Sequence, residues 1–496
     1  MSDAAVRTGG GDVRGAVDGD GVTRWLGIPY ARVTRGRPPR PVEPWTGTRE
    51  AVAFGAACPQ PAGGDLVPGA ALGAPTDEQC LSANVWAPSG DGPHPVLVWI
   101  YGGSFLTGAA SQAMYDGAAL ARRGAVVVSL NYRVGPFGFL APTPDLAERG
   151  WIANCGLHDV VAGLSWVRRE IAAFGGDATN VTVFGESAGA GVIAHLLGAP
   201  GRAELFDRAI LQSASTGRTF DAPTATLVTD AYVRALGGID ALFDATSEHL
   251  VDAVSKVMTD PAVFGAVGFM PFHPAIDGVL VSEAPDRAVQ LGTHRGADLL
   301  VSVTRDEMTL FVDAATMEPE RLRKRVSRYA AIGLDGADEI IHRYDDHLRA
   351  SGLPHEPVDV WGAIYSDREM AMPTRRYLDH AAEHHDAVYG AYVDWSAPPR
   401  GDGRPLGAAH AVDLPFTFST LDVEGWRDFL GATGGRAAAA DRLAAYLGDA
   451  WVGFAGDGDP GWTRWREGRA MQGLGDTVRT VADPIGVRVA LWDGIE

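Results

Sequence analysis

The sequence predicts an α/β fold built on a large, mostly parallel central sheet flanked by helices. Short, mostly apolar runs rich in β-branched residues recur along the 496 residues, and they do not alternate regularly with polar residues. Strands that are covered on both faces have this pattern. The runs are residues 95–100, 125–132, 181–184, 208–213, 299–304, 388–394 and 488–492.

Two further segments extend this pattern. Between the second and third runs, residues 158–174 carry Val160, Leu164, Val167 and Ile171 at intervals of four, three and four. That spacing places all four side chains on one face of a helix, so a strand, a crossover helix and a parallel strand are predicted here. Residues 13–28 alternate around the turn-forming stretch 18–21 and predict an N-terminal hairpin that precedes the main sheet.

Composition and charge limit the partners and the location that can be expected for the protein. The formal net charge of −20 excludes nucleic acid and anionic membranes as expected partners, because both are polyanions. Residues 1–11 lack the basic start and apolar run of a secretory signal, so cytoplasmic residence is expected. The apolar runs are too short to cross a bilayer. No repeat or long linker divides the chain, which predicts one domain over residues 1–496.

The pattern G-x-S-x-G occurs at residues 185–189, with Ser187 at its centre. The match alone is weak, because with 63 glycines in 496 residues roughly 0.3 matches are expected by chance. Its context is informative: the motif follows the apolar run 181–184 and precedes a helix-like stretch at 191–197. A sharp turn from strand to helix forces the serine into strained backbone geometry and exposes its hydroxyl, which predicts a nucleophile.

Several motifs in order resemble the type B carboxylesterase family, the cholinesterase-like branch of the α/β-hydrolases. They lie at residues 27–31, 58–60, 84–88, 131–133, 174–177 and 185–189, and with similar segments downstream the likeness extends over almost the whole chain. The resemblance implies an α/β-hydrolase fold with helical insertions that form a gorge. It also implies a serine hydrolase that cleaves small-molecule carboxylic esters through an acyl-enzyme, without a metal or organic cofactor.

A serine hydroxyl needs a base to remove its proton and a third group to orient that base. The family supplies both downstream. Its acid lies in a segment similar to residues 304–307, which points to Glu307, with the adjacent Asp306 as the alternative. Its histidine lies in a segment similar to 407–410, which points to His410. The order serine, acid, histidine is the one expected for this fold.

The resemblance also names residues around the triad. Residues 101–105 resemble the family's glycine-rich oxyanion loop, so the backbone N–H groups of Gly103, Ser104 and Ala188 are the expected oxyanion donors. The family often has glycine at the position of Ser104. Glu186 and Ser213 match positions that support the catalytic histidine, and we expect them to steady the imidazolium.

Other positions depart from the family. Cholinesterases hold a quaternary ammonium with a tryptophan between two paired cysteines, whereas residues 58–80 here contain no aromatic residue, so choline esters are not the expected substrates. Cys58 and Cys80 would be bridged in secreted relatives. Thiols are expected in a reducing cytosol, and the sequence leaves the bridge open. Ala411 stands where glycine usually follows the histidine.

Two alternatives stay open at this point. The same residues could serve an amidase, a carbamate hydrolase or a lactonase. A catalytically inactive adhesion module of the neuroligin kind keeps the fold but lacks the serine, whereas Ser187, Glu307 and His410 are all present here. The sequence does not reveal the natural substrate, the acyl preference or the oligomeric state.

Overall fold

The computed structural model describes residues 4–62, 66–90 and 92–495. Its strands are β1 (Ala5–Thr8), β2 (Gly11–Arg14), β3 (Ala16–Val17), β4 (Thr23–Pro29), β5 (Thr48–Glu50), β6 (Ser82–Ala87), β7 (His94–Ile100), β8 (Val126–Leu130), β9 (Gly176–Glu186), β10 (Arg208–Gln212), β11 (Asp298–Thr304), β12 (Val388–Val393), β13 (Ala470–Leu474) and β14 (Val478–Ala482).

Most of these strands form one large sheet. Within the described ranges it has 11 strands in the order β14-β13-β12-β11-β10-β9-β7-β8-β6-β4-β3. The pairs from β8 through β7, β9, β10, β11 and β12 to β13 are parallel, and the pairs at both edges are antiparallel. A small sheet of β1, β2 and β5 lies apart from it. The predicted large, mostly parallel sheet is confirmed.

Helices connect the strands. The α-helices are α1 (Ala118–Arg122), α2 (Gly135–Phe139), α3 (Pro144–Glu148), α4 (Cys155–Glu170), α5 (Ala188–Leu197), α6 (Ala222–Leu236), α7 (Ala241–Asp244), α8 (Ser247–Met258), α9 (Pro261–Val267), α10 (Pro285–Gln290), α11 (Pro319–Ala330), α12 (Leu334–Ala350), α13 (Pro357–Ser366), α14 (Met372–His384), α15 (Leu414–Thr417), α16 (Trp426–Phe429), α17 (Ala437–Asp457) and α18 (Gly486–Val489). Short 3₁₀ turns occur at Ala113–Tyr115, Ile171–Phe174, Arg202–Glu204, Glu307–Phe311, Gly434–Arg436 and Ala490–Trp492, and a π-helical turn at Asp367–Ala371.

Two apolar clusters hold these layers together. The larger one is built on the central strands, where β8 and the second half of β7 are buried, and α4, α5 and α17 pack against the sheet. The smaller one joins α11, α12 and α13 with Trp492 near the C-terminus. Long helical insertions separate β10 from β11 and β11 from β12. No helix of the described residues is both long enough and apolar enough to span a bilayer.

Most predicted elements are confirmed, with small changes at their ends. The predicted helix at 158–174 is observed as α4 followed by a 3₁₀ turn, and Val160, Leu164, Val167 and Ile171 are all fully buried. The predicted hairpin turn at 18–21 joins β3 and β4. That hairpin does not precede the main sheet as expected, because β4 pairs with β6 and so extends the sheet at its edge.

One predicted strand is wrong. Residues 488–492 form the end of α18 and a 3₁₀ turn instead of a strand. Four apolar residues in a run of five are too few to distinguish a buried strand from a buried helical turn. The motif at 84–88, by contrast, overlaps β6, which had not been predicted as a strand. The prediction of one domain over residues 1–496 stays a prediction.

The parallel strands determine where loops meet. β7, β9, β10 and β11 are neighbours that run in the same direction, so their carboxyl ends lie along one edge of the sheet. The segments that leave this edge carry Gly103, Ser187, Ser213 and Glu307. Residues 120 positions apart in the chain are thereby brought to one place.

Candidate active site

Ser187 lies in the turn between β9 and α5. Its backbone adopts φ 55° and ψ −124°, a region that non-glycine residues rarely occupy. Glycines on both sides make the turn possible, since a Cβ on Gly185 would lie 2.7 Å from the Ile100 carbonyl oxygen and one on Gly189 only 2.0 Å from it. The Ser187 amide donates to the Gln212 carbonyl at 2.9 Å, which fixes the strained conformation against β10.

The loop after β7 passes directly beside this turn. A Cβ on Gly102 would lie 3.0 Å from Ser187 Cβ. Gly103, Ser104 and Phe105 all have positive φ, at 113°, 57° and 57°. Across the described part of the chain, no protein acceptor takes the N–H groups of Gly103, Ser104 or Ala188. These amides are therefore available to a ligand beside Ser187.

His410 and Glu307 meet although 103 residues separate them. The distance from His410 Nδ1 to Glu307 Oε2 is 2.5 Å, and both side chains are buried. The second oxygen of the carboxylate, Oε1, accepts a hydrogen bond from the Thr304 amide at 2.7 Å. The His410 amide donates to the Glu307 carbonyl at 3.2 Å. The carboxylate is thus held by its own loop and faces the imidazole.

Asp306, the alternative acid, has other partners. Its Oδ2 accepts hydrogen bonds from the Arg305 side chain at 2.7 and 2.9 Å and from the Ala408 amide at 2.8 Å. The Asp306 amide in turn donates to the Ala408 carbonyl at 2.9 Å. Asp306 therefore ties the segment that carries Glu307 to the segment that carries His410.

The other imidazole nitrogen of His410 faces Glu186. Nε2 lies 3.1 Å from Glu186 Oε1, which is close enough for an ion pair when the imidazole is protonated, but the two atoms are not aligned as a hydrogen bond. Among the described residues, the Ser187 hydroxyl makes no hydrogen bond to His410 in this conformation. The structure thus joins Glu307, His410 and Glu186, with Ser187 next to Glu186 in the chain.

The comparisons with known proteins agree with one another. Residues 2–472 match the model of the carboxylesterase family. The para-nitrobenzyl esterase of Bacillus subtilis is 35% identical over 482 residues, which covers 93% of this chain and 91% of that protein. The phenmedipham hydrolase of Pseudarthrobacter oxydans is 34% identical over 472 residues, covering 91% of this chain and 90% of that protein. A crystal structure of a Geobacillus stearothermophilus carboxylesterase superposes with a TM-score of 0.83 at 33% identity, over 99% of this chain and 100% of that one.

The chain belongs to the carboxylesterase family. It is a carboxylic ester hydrolase with the α/β-hydrolase fold, as the sequence motifs indicated.

In this carboxylesterase, burial and charge act together on the groups around His410. Burial by itself lowers the pKa of His410, but the negative charges of Glu186 and Glu307 outweigh it and raise the pKa above its usual range. Burial raises the pKa of Glu186, and Asp413 and Glu307 add to that rise against the opposing effect of His410. One imidazole therefore shares its buried surroundings with several carboxyl groups.

Some contacts of this site were not predicted from the sequence. Gln212 Nε2 donates to Asp413 Oδ2 at 2.7 Å and to Thr417 Oγ1 at 3.0 Å. The ring of Phe311 lies 5.6 Å from the His410 ring, and Phe269 stacks on Phe311. Asp413 follows His410 by three residues and Phe311 follows Glu307 by four, so short spacing from the triad was the available signal.

The structure gives Ser213 no visible role. Its φ is 49°, and its buried hydroxyl has no hydrogen-bond partner among residues 4–62, 66–90 and 92–495. Its supporting role stays a prediction. In the same described ranges, no group of three or more His, Cys, Asp or Glu side chains is arranged to hold a metal ion.

Proposed function

We propose that this carboxylesterase cleaves esters with Ser187 as nucleophile, His410 as general base and Glu307 as the acid that orients the imidazole. The observation that carries the proposal is the buried 2.5 Å contact between His410 Nδ1 and Glu307 Oε2, next to a strained serine turn. Because Nδ1 faces a carboxylate, Nε2 is left as the nitrogen that exchanges protons with substrate. Asp306 is engaged by Arg305 and Ala408, which supports Glu307 as the acid.

The proposed reaction has two halves. In the first, Ser187 Oγ attacks the ester carbonyl carbon while its proton passes to His410 Nε2. The tetrahedral intermediate collapses, and the same proton leaves with the departing alcohol. In the second half, water attacks the acyl-enzyme and gives a proton to Nε2, and Nε2 passes that proton to Ser187 Oγ as the second tetrahedral intermediate collapses and the carboxylic acid leaves. The unpartnered amides of Gly103, Ser104 and Ala188 would hold the oxyanion in both halves.

His410 must change partners for this cycle. In the present conformation Nε2 contacts Glu186, the residue before the nucleophile. Catalytic hydrogen bonds are often long before substrate binds and tighten in the complex. We propose that Nε2 moves from Glu186 toward Ser187 Oγ when substrate occupies the site, while Nδ1 keeps its contact with Glu307.

The substrates we propose are small esters with an apolar part. Phe269 and Phe311 present aromatic surface next to His410. The relatives are named for the para-nitrobenzyl group and for phenmedipham, which are also small molecules. We further propose cytoplasmic residence, since Cys58, Cys80 and Cys155 are all free thiols in the structure.

Replacement of the nucleophile tests the proposal. With para-nitrophenyl acetate as substrate, Ser187→Ala should lower kcat by at least about 1,000-fold without loss of folding. Ser165→Ala is the matched control, because Ser165 lies on α4 and bonds only its own helix. A fluorophosphonate probe should label wild type on the peptide that contains Ser187 and leave Ser187→Ala unlabelled.

Two outcomes would overturn parts of the proposal. Full activity and labelling in Ser187→Ala would remove the nucleophile assignment, and an unlabelled, inactive wild type would favour a binding module. Matched ester and amide substrates test the bond: the ester should be hydrolysed faster, and faster hydrolysis of the amide would favour an amidase.

A further inference from the structure

A buried ion pair lies behind the segment that carries Glu307. Arg488, near the C-terminus, donates from Nε to Asp367 Oδ2 at 2.9 Å, and its Nη2 lies 2.6 Å from Oδ1 as a charge contact. The exposed fraction is 6% for Arg488 and 0% for Asp367. A buried charge pair of this kind is weak evidence for stability, because desolvation opposes its attraction. A contribution to stability therefore does not by itself explain the contacts that this ion pair makes with neighbouring segments.

The pair reaches the backbone on one side of Glu307. Arg488 Nη1 donates to the Arg305 carbonyl at 2.7 Å, two residues before the proposed acid. Ser366, which precedes Asp367, reaches the other side: its Oγ accepts a hydrogen bond from the Met308 amide at 2.9 Å, one residue after the acid. We call residues 305–308 the acid loop, and Ser366, Asp367 and Arg488 together the clamp. The clamp thus holds the acid loop on both sides of Glu307.

The local helix geometry fits this arrangement. A π-helical turn at Asp367–Ala371 interrupts the path from α13 to α14 at the clamp. Such turns are uncommon and often mark functional positions. Tyr344 donates to Asp367 Oδ2 at 2.5 Å, and Trp492 donates to the Tyr344 hydroxyl at 2.9 Å. The C-terminal segment is therefore joined to the acid loop through hydrogen-bonded side chains.

We infer that Ser366, Asp367 and Arg488 are positioning residues that hold Glu307 at the distance its contact with His410 requires. The inference rests on the proposed role of Glu307. In the described residues, the hydrogen bonds and ion pairs of these three side chains do not include the Ser187 hydroxyl or the His410 imidazole. Their effect passes through the backbone of the acid loop, and a small displacement there moves the carboxylate relative to the imidazole.

The double variant Asp367→Leu/Arg488→Met removes both charges together, so that neither is left buried and unpaired. We expect kcat for para-nitrophenyl acetate to fall about 10- to 100-fold, since misplacement of a catalytic group by about 1 Å has such an effect. KM should change by less than about twofold, because no binding contact is removed. Ser366→Ala keeps the ion pair, removes the contact with Met308 together with a hydrogen bond from Ser366 to the Gly362 carbonyl inside α13, and should give a smaller fall in kcat.

Arg375→Met is the matched control. Arg375 also joins this helical region to the C-terminal segment, through a 2.9 Å ion pair with Asp483, and has no hydrogen bond to the acid loop. It should leave kcat unchanged. Circular dichroism and thermal unfolding of each variant identify any that do not fold. If the double variant does not fold, Ser366→Ala decides.

A double-mutant cycle separates positioning from general damage. In a Glu307→Gln background the clamp substitutions should lower kcat by less than about twofold further, because the group they position is already lost. A full multiplicative loss in that background, or wild-type kcat in a folded clamp variant, would overturn the inference. Wild-type kcat in Glu307→Gln alone would instead remove the proposed role of Glu307, so the two failures are distinguishable.

Discussion

At the scale of single residues, the carboxylate of Glu186 is the feature that most affects how the site responds to pH. It lies 3.1 Å from the imidazole nitrogen that would accept the Ser187 proton in the proposed reaction. A negative charge at that distance favours the protonated imidazole, and Glu186 is among the charges that raise the pKa of His410. A general base works only in its neutral form. A raised pKa therefore confines activity to higher pH.

Glu186→Gln removes this charge and keeps the size of the side chain. The pKa of His410 should fall, so the neutral base should persist to lower pH, and the acidic limb of the kcat/KM profile should move down by about one pH unit. The profile is measured from pH 5 to 10 with a neutral ester. Glu204→Gln, at an exposed position, should leave it unmoved. An unchanged limb in Glu186→Gln would mean that Glu186 is already neutral over this range.

The sequence indicates the proposed site residues better than it indicates the residues that hold them in position. Ser187 could be predicted because glycines two positions away and a strand before it are local signals. His410 and Glu307 needed the resemblance to a family. The contacts of Arg488 with Asp367 and Arg305 could not be predicted, since they join residues more than 100 positions apart and a single charged residue has no characteristic spacing.

At the scale of elements, helix ends show where local sequence and backbone conformation disagree. α11 ends at Ala330, and the next residue, Ala331, adopts φ 55° and ψ 34° in a position where glycine is usual. The Ile332 amide still donates to the Ser327 carbonyl at 3.1 Å, so the helix end is hydrogen-bonded in the usual way. An alanine in this left-handed conformation is strained by about 1 kcal/mol.

Ala331→Gly should therefore stabilise this helix end by about 0.5–1 kcal/mol. Ala331 is exposed, so little packing is lost. Hydrogen–deuterium exchange of peptides covering 319–332 should become slower. The reverse change, Gly237→Ala after α6, is the control: Gly237 has φ 88° and open space for a methyl group, so exchange in 222–237 should become faster. Faster exchange in Ala331→Gly would contradict the expectation.

Element prediction succeeded where the pattern was long and failed where it was short. Three of the four buried positions, Val160, Leu164 and Val167, lie in α4 and Ile171 lies in the 3₁₀ turn that follows, and their periodicity identified the helix. Residues 488–492 offer only four apolar positions after Arg488, and the end of α18 with its 3₁₀ turn occupies them. The helical form brings Arg488 to Asp367 and to the Arg305 carbonyl. These two contacts favour it over a strand.

At the scale of the whole molecule, the sheet explains how distant residues meet. The loops that follow the parallel neighbours β7, β9, β10 and β11 lie at one edge of the sheet. The order of these strands could not be predicted from the sequence. Strand order depends on which apolar faces pack together over the full chain. The fold class, by contrast, follows from the repeated apolar runs, and for that reason it was predictable.

The state of the cysteines depends on the redox environment of the protein. The chain has three cysteines, and all are buried. Cys80 is in hydrogen-bond contact with Cys58, and this contact, together with burial, raises the pKa of the Cys80 thiol. Burial raises the pKa of Cys155 to about 11. Buried thiols with raised pKa values are unreactive at neutral pH, because the thiolate is the reactive form.

Protein purified from a bacterial cytoplasm without reductant should accordingly show almost no reaction with an aromatic disulfide reagent while it is folded. After unfolding in guanidinium, three thiols should react, since the reducing cytoplasm from which the protein is purified keeps Cys58 and Cys80 as thiols. Cys155→Ser should then give two. A bridge between Cys58 and Cys80 would give one thiol in the unfolded wild type and none in Cys155→Ser. That result would contradict the proposal that Cys58 and Cys80 are free thiols. It would also remove the support that free thiols give to cytoplasmic residence.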